Sequence, residues 1–300
     1  MFAGCGIALV TPFRQDFSFD ELAFRRLVKR QVQAGINFLV PCGTTGESPT
    51  LTRAEKRRVV EITLEESGGN IPVLAGAGGY NTSEVIESCK ELKAIGVDGI
   101  LSVTPYYNKP TQEGLYQHYK AIAEAASLPI IVYSVPGRTG VNVEPATIAR
   151  LAHVENIAGI KEASGNIGQM AAIVHAVSDR LIVLSGDDAI TLPLVALGGQ
   201  GVISVAANEI PAEMMQLTQL CLSNDFPAAR KLQKRYLPLM EINFVESNPM
   251  PVKAAMALMG LLEPVWRLPM VAPKPESLAK IHDVLDSIGL LEQAHALRAN

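Results

Sequence analysis

Eight short apolar runs rich in β-branched residues recur along this chain, and each is followed by a segment with helical periodicity. Strands that alternate with helices form parallel sheets covered by helices on both faces. Eight such units favour closure into a (β/α)8 TIM barrel over an open doubly wound sheet, and no Gly-x-Gly-x-x-Gly follows the first run to indicate a dinucleotide fold. The predicted strands are 6–10, 38–42, 71–75, 99–103, 129–134, 157–161, 181–185 and 202–205.

The chain continues beyond the eighth run with a helical tail. Apolar residues keep helical spacing over 226–244, and two further helices are predicted over 251–259 and 276–297. We read this tail as a helical subdomain packed on the barrel. The predicted division is a catalytic barrel domain over 1–225 and a C-terminal helical subdomain over 226–300.

Charge and cysteine usage narrow the class of partner. The formal net charge is −4, which gives no reason to expect binding to nucleic acid or to an anionic membrane surface. No segment has the ~20 uninterrupted apolar residues of a membrane span, and the N-terminal run lacks the basic flank of a signal peptide. The four cysteines are far apart, which suits a reducing compartment. We expect a cytoplasmic protein that acts on small molecules.

The sixth run ends on a lysine, Lys161. A buried ammonium group costs several kcal/mol unless it is paired with a carboxylate or loses its proton. The sequence at this point leaves two roles open for Lys161: a buried ion pair, or an amine nucleophile.

Residues at the ends of neighbouring strands favour the nucleophile, because reacting groups in such barrels lie at the C-terminal ends of the strands. Tyr133 ends the fifth run, and the two-residue period of a strand places it on the same face as Lys161, where Gly159 is expected to leave room beside the amine. The turn 43–48 (GTTGES) suits a carboxylate through its hydroxyl and N–H groups, and Arg138 suits one through its guanidinium group.

A metal site is not expected. Asp187 and Asp188 follow the seventh run, where they disfavour a phosphorylated substrate, and we interpret them as capping or structural carboxylates. The five histidines fall on predicted helices or their ends. A lysine with a tyrosine and carboxylate-binding groups, and without a metal, indicates Schiff-base chemistry on a 2-keto acid.

Seven segments spread over nearly the whole chain resemble the dihydrodipicolinate synthase family, within the pyruvate-dependent class I aldolases. They are GTTGES at 43–48, VTPYYNKPTQEGLYQHY at 103–119, YSVPGRTG at 133–140, GIKEASG at 159–165, LSGDD at 184–188, GVISVAAN at 201–208 and NPMPVKAA at 248–255. Members that act on sialic acid or sugar acids generally lack the tyrosine pair of the second segment and the arginine of the third. Tyr107 and Arg138 therefore point to the specific activity.

The resemblance implies a role for each matching residue. Lys161 would form an imine with pyruvate, and Thr44, Tyr133 and Tyr107 would form a proton relay, with Tyr107 supplied by a neighbouring subunit. The substrate-binding residues would be Thr45 for the pyruvate carboxylate, Arg138 for the carboxylate of L-aspartate 4-semialdehyde, and Gly186 and Ile203 through their backbones.

The same resemblance implies the reaction and the assembly. Pyruvate would condense with L-aspartate 4-semialdehyde to give 4-hydroxy-tetrahydrodipicolinate, in the pathway to diaminopimelate and lysine. The protein would be a homotetramer, a dimer of tight dimers, and would need no metal or organic cofactor.

A second pocket of the family binds lysine as a feedback inhibitor. Lysine-sensitive members place histidines and an asparagine where this chain has Arg53, Lys56 and Tyr80, whereas Ser48, Glu84 and Tyr106 of that pocket are retained. Two added positive charges and a bulky ring oppose a cationic ligand. We therefore expect weak or absent inhibition by lysine.

Two other functions remain open on the sequence alone. One is a related Schiff-base lyase for N-acetylneuraminate or a 2-keto-3-deoxy sugar acid. The other is a non-catalytic barrel that binds a small ligand, with Lys161 in a structural ion pair.

Overall fold

The computed structural model describes residues 1–292, and within them eight parallel strands alternate with helices. The strands are β1 (Gly4–Ala8), β2 (Phe38–Val40), β3 (Leu74–Gly76), β4 (Gly99–Val103), β5 (Ile130–Ser134), β6 (Ile157–Glu162), β7 (Ile182–Ser185) and β8 (Gly201–Ser204). The helices are α1 (Glu21–Gln33), α2 (Arg53–Ser67), α3 (Thr82–Ile95), α4 (Gln112–Ala126), α5 (Pro136–Thr139), α6 (Pro145–Leu151), α7 (Ile167–Val177), α8 (Thr191–Ala196), α9 (Pro211–Leu222), α10 (Phe226–Ile242), α11 (Met250–Leu258) and α12 (Pro275–Ser287).

The strands form one sheet in the order β2-β1-β8-β7-β6-β5-β4-β3. Its two end strands meet, because Leu39 of β2 forms a bridge with Val73 just before β3. Two backbone hydrogen bonds of 2.9 Å join the same edges, from Leu39 N to Pro72 O and from Gly76 N to Pro41 O. The sheet is thus a (β/α)8 TIM barrel, which confirms the predicted fold.

The strands at this join are shorter than predicted. The run 38–42 forms a strand only as far as Val40, and the run 71–75 pairs as a strand only from Leu74. Prolines explain both limits: Pro41 and Pro72 have no N–H to donate to a neighbouring strand.

Two apolar layers follow from the alternation of side chains along each strand. One layer fills the inside of the barrel, and the other lies between the strands and the surrounding helices. Inside the barrel, buried residues from most of the strands pack together, among them Ala8, Phe38, Leu74, Leu101, Ile131, Tyr133, Leu184 and Ile203. The interior is therefore a packed core.

Among the described residues, three helices follow α9, as the sequence predicted for the tail. α10 packs against α9 and α12, and α11 also packs against α12. α12 ends at Ser287, and residues 293–297 of the predicted third helix lie outside the described residues. The division of the chain at residue 225 stays a prediction. Within residues 1–292, none of the helices is both long enough and apolar enough to cross a membrane.

Candidate active site

A cavity of about 220 Å³ lies at the C-terminal mouth of the barrel. Six of the residues that the sequence predicted for the site line it together: Thr44, Thr45, Tyr133, Arg138, Lys161 and Gly186. The remaining lining residues are Ala8, Gly43, Leu101, Val135, Ala163, Asp187, Val205, Phe244 and Asn248. The strand-end positions of the barrel thus converge on one small space.

Lys161 is buried at this cavity, with 5% of its surface exposed. Its partner in the register of β5 and β6 is Tyr133, and its Nζ lies 4.4 Å from the centroid of the Tyr133 ring. Within residues 1–292, no carboxylate oxygen lies within 4.0 Å of Lys161 Nζ. The ion-pair role that the sequence left open for Lys161 is therefore not the one that the structure gives it.

A different lysine forms the buried ion pair. Lys253 of α11 donates to Glu47 Oε1 at 2.5 Å, and both side chains are almost completely buried. Burial lowers the pKa of the Lys253 ammonium, and the neighbouring Glu47 carboxylate opposes that shift. The sequence analysis assigned no role to either residue.

Gly186 provides the space beside the side chain of Lys161. Its N–H donates to Glu162 O at 2.7 Å, which holds the loop after β7 against the end of β6. A Cβ atom at residue 186 would lie 2.5 Å from Ala163 Cβ and 3.0 Å from Lys161 Cε. A Cβ at Gly159 would instead meet Ile182 O at 2.4 Å and Ile131 Cδ1 at 3.0 Å. Contrary to expectation, Gly159 makes room for the neighbouring strands, and Gly186 makes room for the amine.

The turn after β2 is held rigidly. Gly46 N donates to Gly43 O and Glu47 N to Thr44 O, both at 3.1 Å, and Glu47 has a left-handed backbone with φ of 51°. Thr45 is 2% exposed, and its Oγ1 accepts a hydrogen bond of 2.9 Å from Asn248 Nδ2. These contacts fix the hydroxyl and N–H groups of the turn at the wall of the cavity.

Arg138 lies on the short helix α5, and it reaches the cavity from the exposed side. Its NH2 group donates to Asn248 O at 2.9 Å. A guanidinium group has five N–H donors, so this one bond leaves most of the group available for a carboxylate.

The two aspartates after β7 behave as the sequence analysis expected. Asp188 is buried, and its Oδ2 accepts hydrogen bonds from Val205 N and Ala206 N at 3.0 Å. Asp187 caps the following turn, because its Oδ1 accepts from Ala189 N at 2.9 Å. Burial raises the pKa of both carboxyl groups. Asp187 also lines the cavity, which the sequence analysis did not anticipate.

Two predicted site residues lie away from the cavity wall. Tyr107 is 84% exposed, and Ile203 is buried inside the barrel. Within the part of the chain that the structure describes, no hydrogen bond joins the hydroxyls of Thr44 and Tyr133. The roles assigned to these residues stay predictions.

The contribution of the C-terminal segment to the site was not predicted from the sequence. Asn248 and Phe244 line the cavity, and Lys253 supports the turn after β2. One signal was present in the segment 248–255, because its lysine lies in an otherwise apolar helix. The partner Glu47 is 206 positions away, however, so no local pattern indicates the pairing.

A larger groove of about 1400 Å³ adjoins the cavity, and the two share Thr44, Tyr133 and Arg138. Five of the six residues predicted for the lysine pocket line it: Ser48, Arg53, Lys56, Glu84 and Tyr106. The sixth, Tyr80, packs edge-on against Tyr106 with 5.2 Å between the ring centroids. Arg53 forms an ion pair with Glu91. Burial raises the pKa of the Tyr106 hydroxyl.

Comparison with known proteins places these features in a family. The sequence model of the dihydrodipicolinate synthetase family matches residues 1–288. The 4-hydroxy-tetrahydrodipicolinate synthase of Koribacter versatilis is 52% identical over 292 residues, which cover 97% of each chain. The crystal structure of dihydrodipicolinate synthase from Thermotoga maritima aligns with a TM-score of 0.95 at 45% identity, covering 97% of this chain and 100% of that one.

A solved structure with a bound ligand is also similar. The chloride-inhibited dihydrodipicolinate synthase of Acinetobacter baumannii, complexed with pyruvate, aligns with a TM-score of 0.95 at 41% identity, covering 97% of this chain and 100% of that one. The barrel, the cavity and the relatives at about half identity agree, and the chain belongs to the dihydrodipicolinate synthetase family.

Proposed function

We propose that this chain is a 4-hydroxy-tetrahydrodipicolinate synthase, a lyase that condenses pyruvate with L-aspartate 4-semialdehyde. The observation that carries the proposal is the environment of Lys161: a buried amine at the mouth of the barrel, beside Tyr133, with no carboxylate within 4.0 Å in the described chain. The relatives of this chain that are about half identical to it carry the name of that enzyme.

The first stage joins pyruvate to the enzyme. The neutral amine of Lys161 attacks the ketone carbon, and the tetrahedral adduct loses water to form an imine. Thr45, 2% exposed at the cavity wall, and the N–H groups of its turn hold the pyruvate carboxylate. The hydroxyls of Thr44 and Tyr133, with Tyr107 from a neighbouring subunit, carry protons to and from the reacting oxygen and nitrogen.

The second stage forms the carbon–carbon bond. The protonated imine withdraws electrons, so that the methyl group of pyruvate loses a proton and becomes the nucleophilic carbon of an enamine. That carbon attacks the aldehyde carbon of the semialdehyde, and the aldehyde oxygen takes up a proton. Arg138 holds the carboxylate of this second substrate at the open side of the cavity.

The third stage releases the product. The amino group of the bound semialdehyde attacks the imine carbon, forms the six-membered ring and displaces the amine of Lys161. The lysine returns to its starting form, and no electrons are gained or lost by the enzyme.

Because the imine supplies the electron sink, we propose that the reaction needs no metal and no organic cofactor. Dialysis against a metal chelator should then leave the rate unchanged.

Trapping with borohydride tests the proposal. Sodium borohydride reduces a lysine imine to a stable amine, so that incubation with pyruvate should add one reduced pyruvate to the peptide that contains Lys161. Lys161→Ala should abolish the adduct, whereas Lys90→Ala, which removes an exposed lysine of α3, should retain it. Absence of an adduct on the wild-type enzyme would contradict the proposal.

Steady-state assays with L-aspartate 4-semialdehyde and with N-acetylneuraminate then separate the synthase from a sugar-acid lyase.

We propose that the enzyme works in the cytoplasm as a homotetramer, a dimer of tight dimers. The exposure of Tyr107 supports a contact with a second subunit, because a side chain that is 84% exposed on one chain is available to enter the cavity of another. Co-expression of two inactive variants tests it. In a mixed dimer of Tyr107→Phe and Lys161→Ala subunits, one cavity receives both native residues, so that random mixing should restore about a quarter of the wild-type rate. No recovery would show that Tyr107 does not act across a subunit interface.

A further inference from the structure

We infer that Asn248, on the loop that precedes α11, is a positioning residue that fixes the Thr45 hydroxyl as a hydrogen-bond donor toward the carboxylate of the bound 2-keto acid. The inference rests on the proposed function, because it concerns how that same cavity binds pyruvate. It also gives the C-terminal segment a part in substrate recognition that acts through Thr45.

The direction of one hydrogen bond carries the argument. Asn248 Nδ2 donates to Thr45 Oγ1 at 2.9 Å, and the two residues are 4% and 2% exposed. A hydroxyl group has one proton to donate and two lone pairs that accept. Since the Asn248 amide uses an accepting position, the proton of Thr45 is left to point elsewhere.

That proton has no protein acceptor. In the described part of the chain, the Thr45 hydroxyl donates to no carbonyl, carboxylate or side-chain oxygen, although the residue lines the cavity. A buried hydroxyl proton that lacks an acceptor is unfavourable. A carboxylate in the cavity supplies the missing acceptor, so the empty donor position favours an anionic ligand over a neutral one.

The contacts of Asn248 explain how the amide is held. Its backbone oxygen accepts from Arg138 NH2 at 2.9 Å, so the same residue contacts the groups proposed to hold the two substrate carboxylates. Further along the same segment, Lys253 forms its buried ion pair with Glu47, and Glu47 lies two positions after Thr45. Hydrogen bonds at both ends of the segment 248–253 therefore hold the loop before α11 against the turn after β2.

The side-chain amide of Asn248 has two orientations to compare, one with Nδ2 and one with Oδ1 toward Thr45. Oδ1 is buried and has no partner among residues 1–292. If the amide were reversed, Oδ1 would accept the Thr45 proton, and the hydroxyl could no longer donate to a ligand. Asn248→Ala separates the two cases by the sign of its effect: it removes the donor that orients Thr45 in the first and weakens binding, whereas in the second it would remove the acceptor of the Thr45 proton and strengthen binding.

The test measures pyruvate binding without the second substrate. Borohydride trapping at increasing pyruvate concentrations gives the concentration that half-saturates imine formation. Asn248→Ala should raise this concentration about 10-fold, as expected for the loss of one hydrogen bond to a charged group, and Asn248→Asp should raise it further. Asn142→Ala, which removes an amide bonded to Gln169 outside the cavity, should leave it unchanged.

A double-mutant cycle separates positioning from a general structural effect. Thr45→Val removes the hydroxyl, so that adding Asn248→Ala to this variant should have no further effect on half-saturation. A 10-fold effect of Asn248→Ala that persists without the hydroxyl would overturn the inference, as would wild-type half-saturation in Asn248→Asp. If the wild-type enzyme forms no adduct, the proposed function fails instead, and the two failures are thus distinguishable.

Discussion

Lys253 and Glu47 form an ion pair at 2.5 Å in the interior of the protein, whereas Lys161, which is also buried, has no carboxylate within 4.0 Å in the described chain. The same residue type thus occurs in two opposite environments, and of the two lysines only Lys161 lines the cavity. Lys253 is held in an ion pair and has a structural role, whereas Lys161 has no such partner within residues 1–292 and is free to react.

Breaking the charged pair should destabilise the protein strongly. Lys253→Met leaves the Glu47 carboxylate buried without a counter-ion, and we expect the free energy of unfolding to fall by about 3–5 kcal/mol. The double variant Glu47→Gln with Lys253→Met removes both charges and should be more stable than the single variant. Urea denaturation measures both. A single variant as stable as the double would show that the pair carries no buried charge.

Adding one methyl group at Gly186 should impair catalysis more than folding. The new Cβ of Gly186→Ala would lie 2.5 Å from Ala163 Cβ and 3.0 Å from Lys161 Cε, so that the reacting amine and its neighbour after β6 would both be displaced. A displacement of about 1 Å can lower a rate by about 100-fold, so we expect a loss of that size in kcat/KM. Gly137→Ala is a matched control, because its Cβ meets nothing within 4 Å. Equal losses in the two variants would rule out crowding of Lys161 as the cause.

His118 should make the protein sensitive to mild acid. Burial lowers the pKa of this histidine from 6.5 to about 4, and its Nδ1 lies 2.9 Å from Thr82 Oγ1. As the pH falls from 6.5 to 4, the unfolded chain takes up a proton that the folded protein does not, so stability is lost over that range. The loss is at most about 3 kcal/mol.

His118→Asn removes the titrating group and retains an acceptor near Thr82. We expect this variant to lose less stability than the wild type between pH 6.5 and 4, as measured by urea denaturation at each pH. Parallel losses in the two proteins would show that other groups cause the acid sensitivity.

Lysine should inhibit this enzyme weakly or not at all. Arg53 and Lys56 line the predicted lysine pocket, and the Tyr80 ring packs against Tyr106. The two cations repel a cationic ligand. An inhibition titration should show no half-effect below ~1 mM lysine, a concentration that corresponds to about 4 kcal/mol of binding. Inhibition at lower concentrations would contradict this expectation. The triple variant Arg53→His, Lys56→His and Tyr80→Asn should become sensitive to inhibition by lysine.

Local patterns in the sequence predicted the barrel and the facing pair Tyr133 and Lys161. Both follow from short-range rules: strands alternate their side chains, and parallel neighbours stay in register. Gly186 was assigned only a backbone role, and the space beside the amine was assigned to Gly159. That space depends on how the loop after β7 lies over β6, and no spacing within either segment encodes it.

Contacts between distant parts of the chain were not predictable in the same way. Asn248 meets Thr45 across 203 positions, and Lys253 meets Glu47 across 206. The resemblance to a family marked the segment 248–255 but gave no role to its residues. The role proposed for Tyr107 across a subunit interface likewise leaves no pattern within one chain, and its side chain is 84% exposed.

The position of Asn248 and Lys253 near the end of the chain has a consequence for synthesis. A ribosome completes all eight strands of the barrel well before it adds residue 248. During that interval Glu47 has no counter-ion, and the Thr45 hydroxyl has no amide to orient it. A nascent barrel therefore holds an unfinished turn after β2, and we expect its affinity for a 2-keto acid to reach the full value only when the last helices have been translated and docked.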